Sequence, residues 1–256
     1  MILEFVDSIV EESIAIVTIN RPPVNALSSD VNGEIYEVFY RLSKDENVKA
    51  VVLTGHGQKA FAAGADIKEF VKLNQTTGPL YTNRNNFVRE YIRTFPKPII
   101  CAINGLAYGA GLVLALLCDI RIAAQEAKFN MGEINMGIIG GTQALGRMLQ
   151  SGIARKMVYT GQPITAEDAQ LAGIVDEITN AETLLERAKE IAVQISKKPP
   201  MAIKFAKECM LMTYTNSVAE SMDHENAALK VLWASSDKNE AVNAFLEKRE
   251  GKFEGK

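Results

Sequence analysis

Three places in this 256-residue chain carry residue types that can handle charge at a carbonyl. Two are runs of tiny residues, Ala60-Phe61-Ala62-Ala63-Gly64-Ala65-Asp66-Ile67-Lys68 and Asn104-Gly105-Leu106-Ala107-Tyr108-Gly109-Ala110-Gly111, each following a strand-like segment. Tiny side chains let a ligand approach the main chain, and a helix start leaves its first N–H groups without partners. Two such N–H groups converging on one point would bind a developing oxyanion, helped by the helix dipole. The third place is Glu133, in Met131-Gly132-Glu133-Ile134-Asn135-Met136-Gly137, where the stretch 129–139 holds no other charge. Apolar surroundings disfavour the charged form of a carboxylate and raise its pKa toward working pH. An oxyanion hole beside one carboxylate moves a proton next to a carbonyl.

Strand-like and helical segments must position these groups. Residues 13–20 alternate and are β-branched, so they read as a strand, closed by Pro22-Pro23. Ser28 or Ser29 then caps a helix to about Leu42. The apolar run 49–54 reads as a strand covered on both faces. After the Gly78-Pro79 break comes a helix centred on 84–94, then a strand at 98–103, a helix at 112–118 and a strand at 119–124. Strand, turn and helix recur without sequence self-similarity. From residue 182 onward the spacing is helical, in segments 182–197, 201–212, 217–235 and 239–248. The Lys198-Pro199-Pro200 break is the expected joint between an α/β core over 1–197 and a helical region over 198–256.

Composition removes several function classes. A net charge of −3 and few basic clusters argue against nucleic acid. The apolar run 112–118 falls far short of the ~18 residues of a membrane span, and the N-terminal residues lack a signal-peptide pattern; a cytoplasmic protein without a membrane partner is expected. Cys101, Cys118 and Cys209 read as reduced thiols. Two histidines and no clustered cysteine make a metal site improbable. No Gly-x-Ser-x-Gly elbow, dinucleotide fingerprint or P-loop is present. Asp66 reads as a loop anchor, Lys68 as either solvated or near an anionic phosphate, and Asp119 as a cap or ion-pair partner of Arg121 or Arg147.

Taken together, 60–70, Pro96-Lys97-Pro98-Ile99-Ile100, 104–119, Glu133, Gly141-Thr142-Gln143, Thr160-Gly161, Ala172-Gly173-Ile174-Val175 and Phe245-Leu246-Glu247-Lys248-Arg249 resemble the crotonase (enoyl-CoA hydratase/isomerase) superfamily nearly end to end. The resemblance implies an α/β spiral of β-β-α units with a C-terminal helical region that makes homotrimers, often paired into hexamers. It implies an enzyme with no permanently bound cofactor and an acyl-coenzyme A thioester as substrate. Ala65 and Ala110 would donate the oxyanion-hole N–H groups, and Glu133 would be the acid/base. Asn25, Ala26 and Leu27, with Ala63, Asp66, Ile67 and Lys68, would line the coenzyme site, with Tyr108, Val113 and Gly141 near the acyl group and Lys248 reaching coenzyme phosphates.

Hydratases of this family typically use two glutamates 20 positions apart. Counting back 20 from Glu133 lands on Val113, which can neither orient water nor transfer a proton. The segment Ile138-Ile139-Gly140-Gly141-Thr142-Gln143 is also shortened relative to hydratases, and Ala144 stands where arginine is common. One carboxylate beside an oxyanion hole is the isomerase pattern, so the leading expectation is Δ3,Δ2-enoyl-CoA isomerisation. Hydration of a trans-2-enoyl-CoA in fatty-acid oxidation is the alternative, followed by decarboxylation or hydrolysis of a specialised acyl-CoA. An inactive acyl-CoA- or RNA-binding homologue is the reading from another class.

Overall fold

The computed structural model describes residues 3–148 and 152–256. The chain opens with a hairpin of β1 (Val6–Glu11) and β2 (Ile14–Ile19), followed by α1 (Ser29–Lys44). Next come β3 (Ala50–Gly55), β4 (Ala60–Ala62), α2 (Ile67–Phe70) and α3 (Thr77–Arg93). The pattern repeats as β5 (Ile99–Ile103), β6 (Leu106–Tyr108) and α4 (Ala110–Leu116), then as β7 (Ile120–Ala124), β8 (Lys128–Asn130), a 3-10 turn at Glu133–Met136, α5 (Thr142–Met148) and α6 (Gly152–Thr160). After β9 (Ile164–Thr165), α7 (Ala166–Leu171) and β10 (Glu177–Thr179), the chain ends in α8 (Leu184–Ser196), α9 (Pro200–Met212), α10 (Val218–Trp233) and α11 (Ser236–Glu247).

The first strand of each pair enters one sheet, ordered β1-β2-β3-β5-β7-β10, and the second enters another, ordered β4-β6-β8-β9. This is the β-β-α repeat that the resemblance implies. The large sheet is parallel except for the β1–β2 pair. Both faces of its central strands are buried, which explains why those strands read as continuous apolar runs. Ala15, Val17, Val51, Leu53, Ile99 and Cys101 pack beneath α1, α3 and α4, while Ile14, Ile16, Val52, Ile100 and Ile122 face α8. Leu184, Ala188 and Ala192, spaced four apart, form the sheet-facing stripe of α8, and the two alanines let it lie close.

Two expectations need correcting. The repeat has two strands, not one, because β4, β6 and β8 are three residues each and too short to show alternation. Gly78-Pro79 does not break the chain before a helix; it lies in the first turn of α3, where the missing proline N–H costs nothing. Ser28 does cap α1, its Oγ accepting the Val31 N–H at 3.3 Å. Among the described residues no helix is long and apolar enough to cross a membrane.

Candidate active site

Two turns are brought together by close packing between the small sheet and the start of α4. A Cβ on Gly111 would stand 2.0 Å from the carbonyl oxygen of Ala62, so only glycine lets α4 begin against β4. At Gly109 the chain turns with φ +49, and its N–H donates to the Asn130 carbonyl at 2.8 Å. Ala110 follows as the first residue of α4. Its N–H donates to no backbone acceptor among the described residues, as a first-turn amide should.

The other turn is held by a short parallel bridge between Leu27 and Ala65. Leu27 N–H donates to Gly64 O at 2.8 Å and Asp66 N–H donates to Leu27 O at 3.2 Å, which turns the Ala65 N–H away from the bridge. It too is uncommitted among the described residues. Arg21 fastens the two sides, with Nη1 donating to Ala26 O at 2.9 Å and Nη2 paired with Asp66 Oδ2 at 2.6 Å. That guanidinium hydrogen bond holds the Asp66 carboxyl below its ordinary range. Asp66 also caps α2 by accepting the Lys68 N–H at 3.0 Å, a loop-anchoring arrangement of the kind its sequence context suggests.

Ala65 and Ala110 border one narrow cleft enclosing about 20 Å³, together with Leu27 and Leu114. The rest of its wall includes Tyr81, Asn85, Val88, Arg89 and Ile92 from α3.

Glu133 begins the 3-10 turn after β8. Its carboxylate lies against Gly109: a Cβ there would stand 2.6 Å from Oε1. On its other side, a Cβ on Gly140 would stand 3.3 Å from the same oxygen. Two glycines thus make the slot, and the acid sits one residue from the Ala110 amide. Oε2 is buried with no hydrogen-bond partner among the described residues. Burial pushes the carboxyl up from its ordinary value, while its own backbone and the charge of Arg89 pull less strongly downward. A buried, unpartnered carboxylate oxygen is costly for folding alone; for proton transfer it is the required atom.

Val113, one turn into α4, faces Gly141: a Cβ at Gly141 would fall 2.1 Å from Val113 Cγ2 and 3.1 Å from Met131 Cε. The position expected for a second carboxylate is therefore part of an apolar contact. The remaining expected residues fall in different settings. The Asn25 side chain is buried and taken up by the loop, Oδ1 accepting Arg21 N–H and Nδ2 donating to the carbonyls of His56 and Ala60. Ala26 and Ala63 are half-buried in the clasped segments, while Ile67 and Lys68 are exposed on α2. Tyr108 ends β6, half-buried, with its phenol pushed up by burial. Lys248 lies outside the helix that the sequence pattern assigns it to; it is the left-handed residue closing α11. Asp119 pairs with neither expected arginine: Oδ2 meets Lys207 Nζ at 2.7 Å, and Arg121 pairs with Asp176 instead.

Sequence reasoning gave Asn104 no role of its own and passed over Arg89. Asn104 Nδ2 donates to the carbonyls of Gly55 and Gly57 at 2.8 and 2.6 Å, tying the β3–β4 connection down. Arg89 had a readable signal, a charged residue in phase with the apolar positions Val88 and Ile92 of its helix.

An α/β fold of β-β-α repeats that presents two amides uncommitted among the described residues and one half-buried acid has the groups for acid–base work on a carbonyl. The profile of the enoyl-CoA hydratase/isomerase family matches residues 10–256. A short-chain-enoyl-CoA hydratase of Clostridium acetobutylicum is 38% identical over 249 residues, covering 96% of this chain and 95% of that protein. A crotonyl-CoA hydratase of Syntrophomonas wolfei is 36% identical, with 95% of each covered. The crystal structure of an enoyl-CoA hydratase from Bacillus anthracis superposes with a TM-score of 0.94 at 32% identity, covering 99% of this chain and 100% of that one. The chain belongs to the enoyl-CoA hydratase/isomerase family of the crotonase superfamily, and it is an enzyme of that family. The names of these relatives favour hydration over the isomerisation that leads the sequence reading.

Proposed function

We propose that this enzyme processes an acyl-CoA thioester through an enolate, held by the N–H groups of Ala65 and Ala110 and fed or drained of a proton by Glu133. The observation that carries the reading is the buried, unpartnered Oε2 of Glu133, set one residue from an uncommitted helix-start amide. Such donors act strongly because they are already oriented when charge develops; removing one from an oxyanion hole costs about 10²–10³ in rate.

Of the two reactions, hydration of a trans-2-enoyl-CoA has the support of the relatives' names. In it Glu133 takes a proton from water as the oxygen adds to the β-carbon, the thioester becomes an enolate, and the proton returns to the α-carbon. Isomerisation is the second reading, favoured by Val113 packing where a second carboxylate would hold that water. There Glu133 removes the α-proton of a 3-enoyl-CoA and returns it at the γ-carbon of the dienolate. Incubating the purified enzyme separately with crotonyl-CoA and a 3-enoyl-CoA, and separating products by chromatography, decides between them. Formation of 3-hydroxyacyl-CoA at the higher kcat/KM supports hydration; trans-2-enoyl-CoA without hydroxy product assigns isomerisation. Glu133→Gln is expected to lose roughly 10²–10⁴ in kcat in either case, and unchanged turnover removes Glu133 from the mechanism.

A homotrimer, alone or paired into a hexamer, completes the proposal, with 198–256 as its helical assembly region after the 1–197 core. Large apolar side chains left exposed on α9, α10 and α11 support it.

A further inference from the structure

The face that α3 turns toward the cavity is not the apolar one a core-facing helix normally carries. Tyr81, Asn85 and Arg89 recur at four-residue spacing there, in phase with Val88 and Ile92. Asn85 is buried and anchored, its Oδ1 accepting from Asn32 Nδ2 at 3.0 Å. Arg89 is half-buried, yet among the described residues its guanidinium meets only Asn86 Oδ1, at a marginal 3.5 Å. Among the described residues no carboxylate approaches it within the 4.0 Å of an ion pair. Burying a guanidinium without a counter-ion is expensive, and arginine stays charged. Among the described residues the carboxylate whose charge reaches Arg89 is that of Glu133, which stays beyond ion-pair distance.

The cavity that Arg89 shares with Ala65 and Ala110 encloses about 20 Å³, room for about one water. A thioester seated at the two amides must therefore open this cleft along the α3 wall, which a short acyl chain does most readily. We propose that Arg89 reads a carboxylate at the end of that chain, making the preferred substrate the CoA monothioester of a short unsaturated dicarboxylic acid. This deepens the acyl-CoA reading and rests on it. A planar guanidinium suits a carboxylate because it can donate two parallel hydrogen bonds, and Tyr81 supplies a further polar group on the same wall. Burial lowers the Arg89 pKa, and the nearby Tyr81 and Glu133 partly offset it.

The test compares ligands differing only in the terminal group. Saturated hexanoyl-CoA and adipoyl-CoA cannot be hydrated or isomerised, so calorimetric titration reads recognition without chemistry. Adipoyl-CoA is expected to bind the wild-type enzyme roughly 10- to 100-fold tighter, the range for a hydrogen bond to a charged group. In Arg89→Met that ratio falls to one or below, and in Arg89→Lys it recovers in part. Turnover of hex-2-enoyl-CoA and its ω-carboxylated counterpart should follow the same ratio in kcat/KM. Equal wild-type affinity for the two saturated thioesters, or a ratio unmoved in both variants, overturns the assignment of Arg89 while leaving the acyl-CoA reading intact. Failure of both thioesters to bind overturns that reading, and this proposal with it.

Discussion

Glu133 pays for its position with stability, and the sign of that cost can be measured. Burial raises its folded-state pKa above the ordinary value of 4.5, so the folded chain holds this proton more tightly than the unfolded chain does. Its favourable contribution is present at low pH and is lost as pH rises through the folded-state value. At pH 7.5 the ionised side chain is thus a liability. Glu133→Gln should melt at a higher temperature than wild type there, and the two curves should converge as pH falls through the titration. A variant that melts lower at pH 7.5, or a gap that widens on acidification, contradicts this. Catalysis has the opposite preference, because only the carboxylate accepts a proton. The acid limb of kcat/KM should therefore lie above pH 4.5. Arg89→Met should move it further up, since the charge of Arg89 holds the Glu133 pKa down. An acid limb unmoved by that variant would show that Arg89 does not act on Glu133.

At the scale of elements, an ion pair fastens α9 beside the sheet. Lys207 on α9 is buried, and its Nζ donates to Asp119 Oδ2 at 2.7 Å and to Lys97 O at 3.1 Å. Asp119 also accepts the Ile99 N–H that starts β5. Removing one partner from a fully buried pair costs about 3–5 kcal/mol. The Asp119 side chain keeps 27% exposure, so Lys207→Met should cost about 2–3 kcal/mol, lowering Tm by several degrees. A Tm within a degree of wild type would mean that the pair is immaterial to the docking of α9. The long elements around it were legible because their patterns are long: the buried strands β3 and β5 as continuous apolar runs, α1 as a helix with a serine cap, and α8 to α11 as helical stripes. The three-residue strands were not, since β4, β6 and β8 owe their existence to pairing partners distant in sequence. Lys207 looks like any helix-surface lysine until Asp119 is placed beside it. Within the candidate site, the two small-residue turns and the isolated glutamate were readable as local chemistry. Their convergence was not, for it depends on Gly111 meeting Ala62 and on Gly109 and Gly140 leaving room for an acid from a third repeat.

The whole molecule presents an imbalance that a second and third copy would resolve. Single exposed apolar residues are ordinary on protein surfaces. Here they gather on three consecutive helices: Met210 on α9, Val218 and Trp233 on α10, and Phe245 and Leu246 on α11, with Phe245 at 83% and Val218 at 78% exposure. Side chains of this size lose about 1.5–3 kcal/mol of stabilisation each when left in water, so a shared interface is the economical arrangement. The proposed trimer predicts a sedimentation-equilibrium mass of three times 28.0 kDa, or twice that for a hexamer. Phe245→Glu and Trp233→Lys together would place charges in the interface and should shift the mass toward that of one chain. Far-UV circular dichroism should stay close to wild type, because neither side chain belongs to the buried core. A wild-type mass of one chain at micromolar concentration sinks the trimer. A mass unaffected by the double variant moves the interface away from α10 and α11. Because Lys248 lies immediately after α11, the same variant tests whether assembly brings that lysine to a neighbouring coenzyme site: loss of the oligomer should then raise KM for the CoA thioester more than it lowers kcat.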